Sequence, residues 1–200
     1  MKLLIIRHGE SEADLLKVHE GRADFALTGK GHRQADAMAE YVRCHYRVAR
    51  LYSSTLKRAA QTAGHLSAAA DVPVMLDELL MEFNNGLLAG LPWKEAAEKY
   101  PTVRDLPVDQ AVYGQESKLD FRNRAEDALT RILTESRADE VTAVITHGGM
   151  INQLYHAALH LPIVSACFFG TGDTGIHEWE IKDDGVRIIR ANYCGHTEGL

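Results

Sequence analysis

The sequence has few cysteines, no long apolar run and no excess of basic residues. Its three cysteines, Cys44, Cys167 and Cys194, lack a CxxC spacing, which predicts free thiols in a reducing cytoplasm rather than a disulfide framework. No apolar run approaches the roughly 20 residues that span a membrane. Only four apolar residues separate Lys2 from Arg7, too few for a signal peptide. We therefore expect a cytoplasmic protein with no membrane segment.

The charge balance argues against a nucleic-acid partner. The formal net charge is −6, whereas nucleic-acid binders usually present a basic surface. Apolar residues make up 46% of the chain and charged residues 25%, which is ordinary for a globular protein. A chain of 200 residues is long enough to bury one sizeable core. We interpret residues 1–200 as a single domain with a small cap or insertion around residues 82–118.

Short runs rich in β-branched residues and leucine alternate with helical periodicity along the chain. This alternation predicts an α/β fold with a mainly parallel sheet covered by helices on both faces. A hairpin signal at Asp183-Asp184-Gly185 joins the last two predicted strands. The predicted strands are residues 2–6, 48–52, 72–75, 141–146, 165–169, 175–181 and 186–193, and Pro73 places the third at an edge.

Two of the predicted strands end in the same way. Arg7-His8-Gly9 follows the first strand, and Thr146-His147-Gly148-Gly149 follows the strand at 141–146. In an open α/β sheet, ligands bind just beyond the carboxyl ends of the strands. We therefore expect Arg7, His8 and His147 to meet in one crevice. This group suits a phosphate, because a guanidinium binds its oxygens in pairs and an imidazole can donate to it or attack it.

Two further segments carry candidate functional residues. Arg58 lies just after the cluster Ser53-Ser54-Thr55, where free N–H groups at the start of a helix favour an anion. The alternative interpretation is a solvated arginine on a capped helix. Glu82 heads a loop rich in glycine and asparagine, where a carboxyl group could protonate a departing oxygen and then activate water. The alternative for Glu82 is an ordinary surface loop residue.

In this order, the motifs resemble the histidine phosphatase superfamily, which includes the phosphoglycerate mutase-like enzymes. The resemblance implies a three-layer α/β/α fold and a phosphohistidine formed on His8. It implies that Arg7, Arg58 and His147 hold the phosphoryl oxygens. Glu82 would be the general acid and then the base, with no metal and no organic cofactor. The matching segments are residues 7–11, 21–35, 53–63 and 146–149, together with Glu82, Gly86 and Gly90.

Two acidic residues depart from the family pattern near the expected phosphate. The family commonly has asparagine where Asp14 stands and often a neutral polar residue where Glu20 stands. At an effective dielectric constant of about 20, two like charges roughly 4 Å apart repel by about 4 kcal/mol. We expect one of several outcomes: Lys17, Arg22 or another cation neutralises the acids, one is protonated, the substrate carries a cationic or hydroxyl-rich portion, or both acids turn outward. The candidate substrate-binding residues are Arg7, Ser11, Asp14, Glu20, Gly21, Arg58, His147 and Gly148.

The segment after Glu82 separates two activities within the family. The mutases carry an Arg-His-Tyr-Gly run after this glutamate, whereas here Phe83-Asn84-Asn85-Gly86 follows. We therefore predict a phosphomonoesterase that hydrolyses small phosphorylated metabolites and also binds inorganic phosphate. The alternatives are a cofactor-dependent phosphoglycerate mutase and a non-catalytic phosphate-binding module. The sequence does not predict an oligomeric state.

Further segments of the sequence bear on substrate choice and on metal binding. We expect the irregular insertion at residues 101–116, with Lys118 and Arg122 after it, to set the choice of substrate. His156 and His160 have the i, i+4 spacing of a metal pair on a helix. No third ligand is evident, so we interpret them as partly exposed helical histidines and expect no metal.

Overall fold

Six strands form one mixed sheet in the computed structural model, which describes residues 1–200. The strand order is β3-β2-β4-β1-β5-β6. The pairs β1–β4, β2–β4 and β2–β3 are parallel, and β5 runs antiparallel to β1 and β6. The third strand lies at an edge, as Pro73 predicts. The bounds are β1 (Lys2–Arg7), β2 (Val48–Ser53), β3 (Val74–Leu76), β4 (Val141–Thr146), β5 (Ile176–Lys182) and β6 (Gly185–Tyr193).

Helices cover both faces of the sheet and make the fold a three-layer α/β/α sandwich, as predicted. Successive side chains of a strand point to opposite faces. In β1, Leu4 and Ile6 pack in one core cluster with residues of α2 and α3, whereas Leu3 and Ile5 pack in a second with residues of α5 and α6. The bounds are α1 (Glu12–Leu16), α2 (Gly29–His45), α3 (Lys57–Ala70), α4 (Trp93–Lys99), α5 (Lys118–Glu135) and α6 (Gly148–Ala158).

The parallel register brings three strand ends to one edge of the sheet. Arg7 of β1 pairs with Thr146 of β4, and Ser53 of β2 pairs with Ile145 of the same strand. The residues that follow these ends are therefore neighbours, although up to 139 positions separate them along the chain. This edge is where the candidate site lies.

The predicted strand at residues 165–169 is wrong. The segment has no regular secondary structure, and the side chain of Phe168 is 81% exposed rather than part of a strand core. Its backbone is bound by side chains of α6 instead of a neighbouring strand. Asn152 accepts a hydrogen bond from the N–H of Phe169, and the ring of His156 is bonded to the carbonyl oxygen of Cys167. Both side chains form hydrogen bonds with backbone groups that a strand would use to pair with a neighbouring strand.

The segment after Glu82 contains a single 3₁₀ turn (Gly86–Leu88) and one short α-helix, α4, and otherwise turns and loops up to the start of α5. Residues 101–116 hold no helix or strand, as the sequence predicts. None of the helices combines the length and the apolar composition that crossing a membrane requires.

Candidate active site

His8 lies at the centre of the site, directly after β1, and is almost completely buried. Its Nδ1 is 2.8 Å from the carbonyl oxygen of Gly9, so Nδ1 carries the proton and donates it. The Nε2 atom accepts a hydrogen bond of 3.2 Å from Nε of Arg58. Burial, and then the charges of Arg58 and Arg7, hold the pKa of His8 well below its usual range. His8 is therefore a neutral imidazole whose Nε2 lone pair faces a cation.

The second histidine of the predicted pair, His147, packs beside the first. Their ring centroids are 5.1 Å apart, and burial is the main reason that the pKa of His147 is also well below its usual range. Its Nε2 lies 2.8 Å from Oγ of Ser54, which itself accepts the N–H of Leu56. The Ser54 hydroxyl can donate to Nε2 or accept from it, and when it donates, Nδ1 carries the proton of the ring. That Nδ1 is buried and has no partner.

Arg58 is held rigidly within the site. It lies in the first turn of α3 with a fully buried side chain, so the alternative of a solvated arginine is wrong. Its two terminal nitrogens donate to the carbonyl oxygens of Ala23 and Gly21, at 3.0 and 2.8 Å. Gly21 has a φ of +47°, and a Cβ there would lie 1.9 Å from the side chain of Asn85. This glycine therefore acts on the site by positioning Arg58.

Arg7 reaches the same edge from the end of β1. Its Nη1 donates to the carbonyl oxygen of Thr171 at 3.0 Å and lies 3.5 Å from Asp173. Its Nε is buried without a partner, so one N–H of the guanidinium stays free to bind a ligand oxygen. Gly148 is adjacent, since a Cβ built on it would be 4.0 Å from that Nε.

Two backbone hydrogen bonds hold the side chain of Glu82 at the start of α6. One carboxylate oxygen accepts the backbone N–H of Phe83 and the other accepts that of Gly149, both at 2.8 Å. A Cβ on Gly149 would lie 2.3 Å from the same carboxylate, which explains why a glycine stands there. The structure thus places Glu82 next to the end of β4, held by two backbone N–H groups.

Arg124 of α5 fixes the backbone of the Glu82 segment, and sequence reasoning did not find it. Its guanidinium donates to the carbonyl oxygens of Leu79, Met81 and Glu82 and pairs with Glu116 at 2.7 Å. All of these partners are at least eight positions away, so no local pattern marks this arginine. Asp173, which pairs with Arg7 across 166 positions, was missed for the same reason.

The two unusual acids have different surroundings. Asp14 turns back to accept the backbone N–H of Ser11 at 2.9 Å, at the start of α1. Glu20 faces the site: it accepts the Ser11 hydroxyl and lies 3.2 Å from Nε of Arg58 and 3.8 Å from Nε2 of His8. Burial raises the pKa of Glu20, and the charge of Arg58 opposes this rise.

The cation that neutralises Glu20 is therefore Arg58. The two cations suggested by the sequence do not take this role. Lys17 forms no ion pair, and Arg22 lies 3.8 Å from Glu116 and 3.4 Å from the carbonyl oxygen of Glu82. The outward orientation considered for both acids is wrong for Glu20.

The remaining candidates lie outside this centre. Arg122 is buried and pairs with Glu126 and the carbonyl oxygen of Leu161, so it is not free to contact a substrate. Lys118, by contrast, lines a cavity of about 420 Å³ together with residues of the 101–116 insertion. His156 is only 3% exposed, which corrects the prediction of a partly exposed side chain. No group of three histidine, cysteine or acidic side chains is arranged to hold a metal ion.

This arrangement can bind and attack an oxyanion. Two buried nitrogen atoms, Nε of Arg7 and Nδ1 of His147, lack partners, and buried polar atoms without partners are costly unless a ligand satisfies them. The unprotonated Nε2 of His8 supplies a lone pair next to them. The carboxyl group of Glu82 stands beside the same strand ends and can exchange a proton with a leaving group or with water.

Known proteins are similar to this chain in sequence and in fold. A sequence model of the histidine phosphatase superfamily, branch 1, matches residues 3–193. The chain is 31% identical to phosphoglycerate mutase-like protein 4 of Arabidopsis thaliana, covering 78% of this chain and 70% of that protein. It is 32% identical to the metal-independent phosphoserine phosphatase of Arabidopsis thaliana, covering 77% and 67%. A mycobacterial glucosyl-3-phosphoglycerate phosphatase crystallised with VO3 superposes with a TM-score of 0.80 at 25% identity, covering 96% of this chain and 98% of that one.

Proposed function

Because the chain belongs to the histidine phosphatase superfamily, we propose that it hydrolyses small phosphomonoesters through a phosphohistidine on His8. The observation that carries the proposal is the buried imidazole of His8, whose Nε2 accepts from Arg58 beside two buried nitrogen atoms without partners. A binding module would need groups that bind the phosphate but would not need an unprotonated nucleophile or an acid fixed next to it. The non-catalytic alternative is therefore disfavoured.

In the first proposed step, the lone pair of His8 Nε2 attacks phosphorus and the bond from phosphorus to the ester oxygen breaks. Protonated Glu82 gives its proton to that oxygen, so the alcohol leaves neutral. Arg7, Arg58 and His147 hold the phosphoryl oxygens during the transfer and offset their charge. In the second step, Glu82 takes a proton from water, the water oxygen attacks phosphorus, and His8 leaves.

Two findings favour a phosphatase over a mutase. Phe83-Asn84-Asn85-Gly86 follows Glu82, where mutases of the family carry Arg-His-Tyr-Gly. Proteins with phosphatase names are among the similar sequences and structures. The mutase remains the second candidate because phosphoglycerate mutase-like protein 4 is similar over much the same share of this chain. We propose residues 82–118 as the cap over the site, with Lys118 facing the substrate.

Phosphate release from a panel of phosphomonoesters, measured with EDTA present, tests the proposal. The panel contains 4-nitrophenyl phosphate, phosphoserine, 3-phosphoglycerate, sugar phosphates and nucleotides. We expect turnover by the wild type, none by His8→Ala, and full turnover by His45→Ala, which removes an exposed histidine at the end of α2. Faster formation of 2-phosphoglycerate than of phosphate from 3-phosphoglycerate would establish the mutase instead. No turnover of any ester would count against both activities.

A further inference from the structure

A groove leads away from Glu82 along one face of α6. It consists of two adjoining cavities of about 340 and 250 Å³, which share Asn152 and Phe168. Gly149 lines the first cavity and Phe83 lines the second, and these are the two residues whose N–H groups hold the Glu82 carboxylate. The groove therefore lies beside the backbone that holds the carboxylate of Glu82, the residue proposed to protonate the leaving oxygen.

The walls of the groove are largely apolar, and some of the side chains that form them are exposed to solvent. Phe168 and Val164 are 81% and 65% exposed, although both line the second cavity. Phe121 and Ile163 complete the apolar wall. Exposed apolar side chains that line a cavity next to a reactive centre gain free energy when a ligand covers them.

The far end of the groove holds a hydrogen-bond acceptor without a partner. His156 Nε2 lies 3.0 Å from the carbonyl oxygen of Cys167, so Nε2 carries a proton, and in the tautomer with this one proton Nδ1 is an acceptor. That Nδ1 is buried and unpartnered, as is Oε1 of Gln153, which lines the same cavity. A buried acceptor without a partner costs free energy that a donor on a ligand would recover.

Lys118 restricts the kind of donor that fits. It lines the same cavity and forms no ion pair, so its charge is not neutralised by the protein. A free cation opposes an ammonium group and tolerates a hydroxyl group. The donor that fits His156 is therefore an uncharged group, and on an alcohol the simplest such group is a second hydroxyl.

We propose that this groove is the subsite for the alcohol portion of the substrate and selects elongated alcohols with an apolar middle and a terminal hydroxyl group. The proposal rests on the proposed phosphatase function. Gly149 and His156 are seven residues apart on α6. At 1.5 Å per residue the groove spans about 10 Å, the length of a chain of about eight carbon atoms. A small alcohol such as serine would leave the far end empty.

Calorimetric titration with non-hydrolysable phosphonates tests the subsite without requiring turnover. The probes are ethyl, octyl and 8-hydroxyoctyl phosphonate. We expect octyl to bind at least about tenfold more tightly than ethyl phosphonate, because each buried methylene adds a favourable increment. We expect 8-hydroxyoctyl to bind about threefold to tenfold more tightly than octyl phosphonate, as one neutral hydrogen bond to a buried acceptor allows.

Three variants assign the effects to residues. Phe168→Ala removes an exposed side chain and should abolish most of the chain-length effect. His156→Leu should abolish the advantage of the hydroxyl group, and circular dichroism checks its fold. His160→Leu, on the exposed residue just after α6, is the matched control and should change neither effect.

Equal affinity for the three phosphonates would overturn the subsite, as would a chain-length effect that survives Phe168→Ala. A hydroxyl advantage that persists in folded His156→Leu would overturn the role of His156. Phosphate release from the corresponding esters is measured in parallel. Tight, length-dependent binding without any release would contradict the proposed hydrolysis while leaving the subsite supported.

Discussion

Glu20 holds Arg58 through a contact that a bound phosphate would compete for. Its carboxylate is 3.2 Å from Nε of Arg58 and 3.8 Å from Nε2 of His8, so it lies where the phosphoryl group must approach. A dianion entering this space meets a like charge. The cost is up to about 4 kcal/mol at a separation of roughly 4 Å and an effective dielectric constant of about 20. We therefore expect ionised Glu20 to weaken phosphate binding.

Replacing Glu20 by glutamine should tighten the binding of inorganic phosphate by about tenfold or more at pH 7.5. A tenfold change corresponds to about 1.4 kcal/mol, which is only part of the repulsion of about 4 kcal/mol that the replacement removes. Burial raises the pKa of Glu20, so its protonation begins at a higher pH than for an exposed glutamate. The ratio of the two dissociation constants should therefore shrink as the pH falls towards 5. Titration calorimetry at several pH values measures this ratio, in which the titration of phosphate itself cancels.

Asp14→Asn is the matched control for this prediction. The Asp14 carboxylate is bound to the backbone of Ser11 and makes no ion pair with Arg58 or His8. We expect a much smaller change in phosphate affinity. A change as large as that of Glu20→Gln would show that the summed charge of the loop, rather than the contact with Arg58, controls binding.

Replacing Glu82 by glutamine should slow turnover by about 10²–10⁴-fold for alkyl phosphates, because proton transfer to the leaving oxygen is lost. Glutamine can keep one hydrogen bond to the N–H of Phe83 or Gly149, so phosphate should still bind. Turnover numbers for an alkyl phosphate and for 4-nitrophenyl phosphate measure the effect. Equal losses with both leaving groups would mean that Glu82 is not the acid.

For single residues, the sequence predicted those that follow strand ends and did not predict those that act through distant contacts. His8, Arg58, Glu82 and His147 stand in short local motifs, and the structure brings them to one edge of the sheet. The partner of Glu20 was not predicted, because Arg58 is 38 positions away and its direction depends on the carbonyl oxygens that hold it.

Among the elements, the start of α2 supports the loop that carries His8. Gly31 packs against this loop so closely that a Cβ would lie 2.0 Å from the carbonyl oxygen of Glu10. A Cβ on Gly9 would in turn lie 2.6 Å from the carbonyl oxygen of Gly31. The two backbones touch directly, and the Thr28 side chain caps α2 at this point by accepting the N–H of Gly31.

Gly31→Ala should therefore destabilise the protein by about 1–3 kcal/mol, the usual cost of overpacking, and lower turnover by displacing the His8 loop. Gly64→Ala is the matched control in α3, because a Cβ there meets nothing within 4 Å. It should stabilise the protein by about 0.5–1 kcal/mol and leave turnover unchanged. Urea unfolding measures both changes, and a stable, fully active Gly31→Ala protein would contradict the argument.

The elements themselves were largely predictable because their patterns are local. Buried apolar runs gave the strands, and Thr28 marked the start of α2. The strand expected at residues 165–169 is absent, although the segment contains the apolar pair Phe168-Phe169. Its backbone is held by α6 side chains, which is a tertiary contact that no local window contains.

For the whole molecule, burial keeps several histidines neutral, and this links stability to pH. Desolvation by burial lowers the pKa of His177 from 6.5 to about 4, and it is the first cause of the lowered pKa of His8 and His147. His177 is fully buried and bonded to Tyr155 and Thr171. The unfolded chain takes up these protons first as the pH falls, so this stabilisation is complete above about pH 6.5 and is lost towards pH 4.

The free energy of unfolding should thus fall between pH 7.5 and pH 5.0. His177 alone contributes about 2 kcal/mol of this loss. The interval from its unfolded pKa of 6.5 down to pH 5.0 is about 1.5 pH units, and each unit corresponds to about 1.36 kcal/mol. Lowered carboxylate pKa values act in the same direction only below about pH 4.5, whereas the raised pKa values of buried Glu20 and Asp173 act in the opposite direction as the pH falls. Urea unfolding at the two pH values measures the difference. We expect His177→Gln to be less stable at pH 7.5, and its difference between the two pH values should be smaller by about the same 2 kcal/mol. An unchanged difference would show that His177 is not titrated by unfolding in this range.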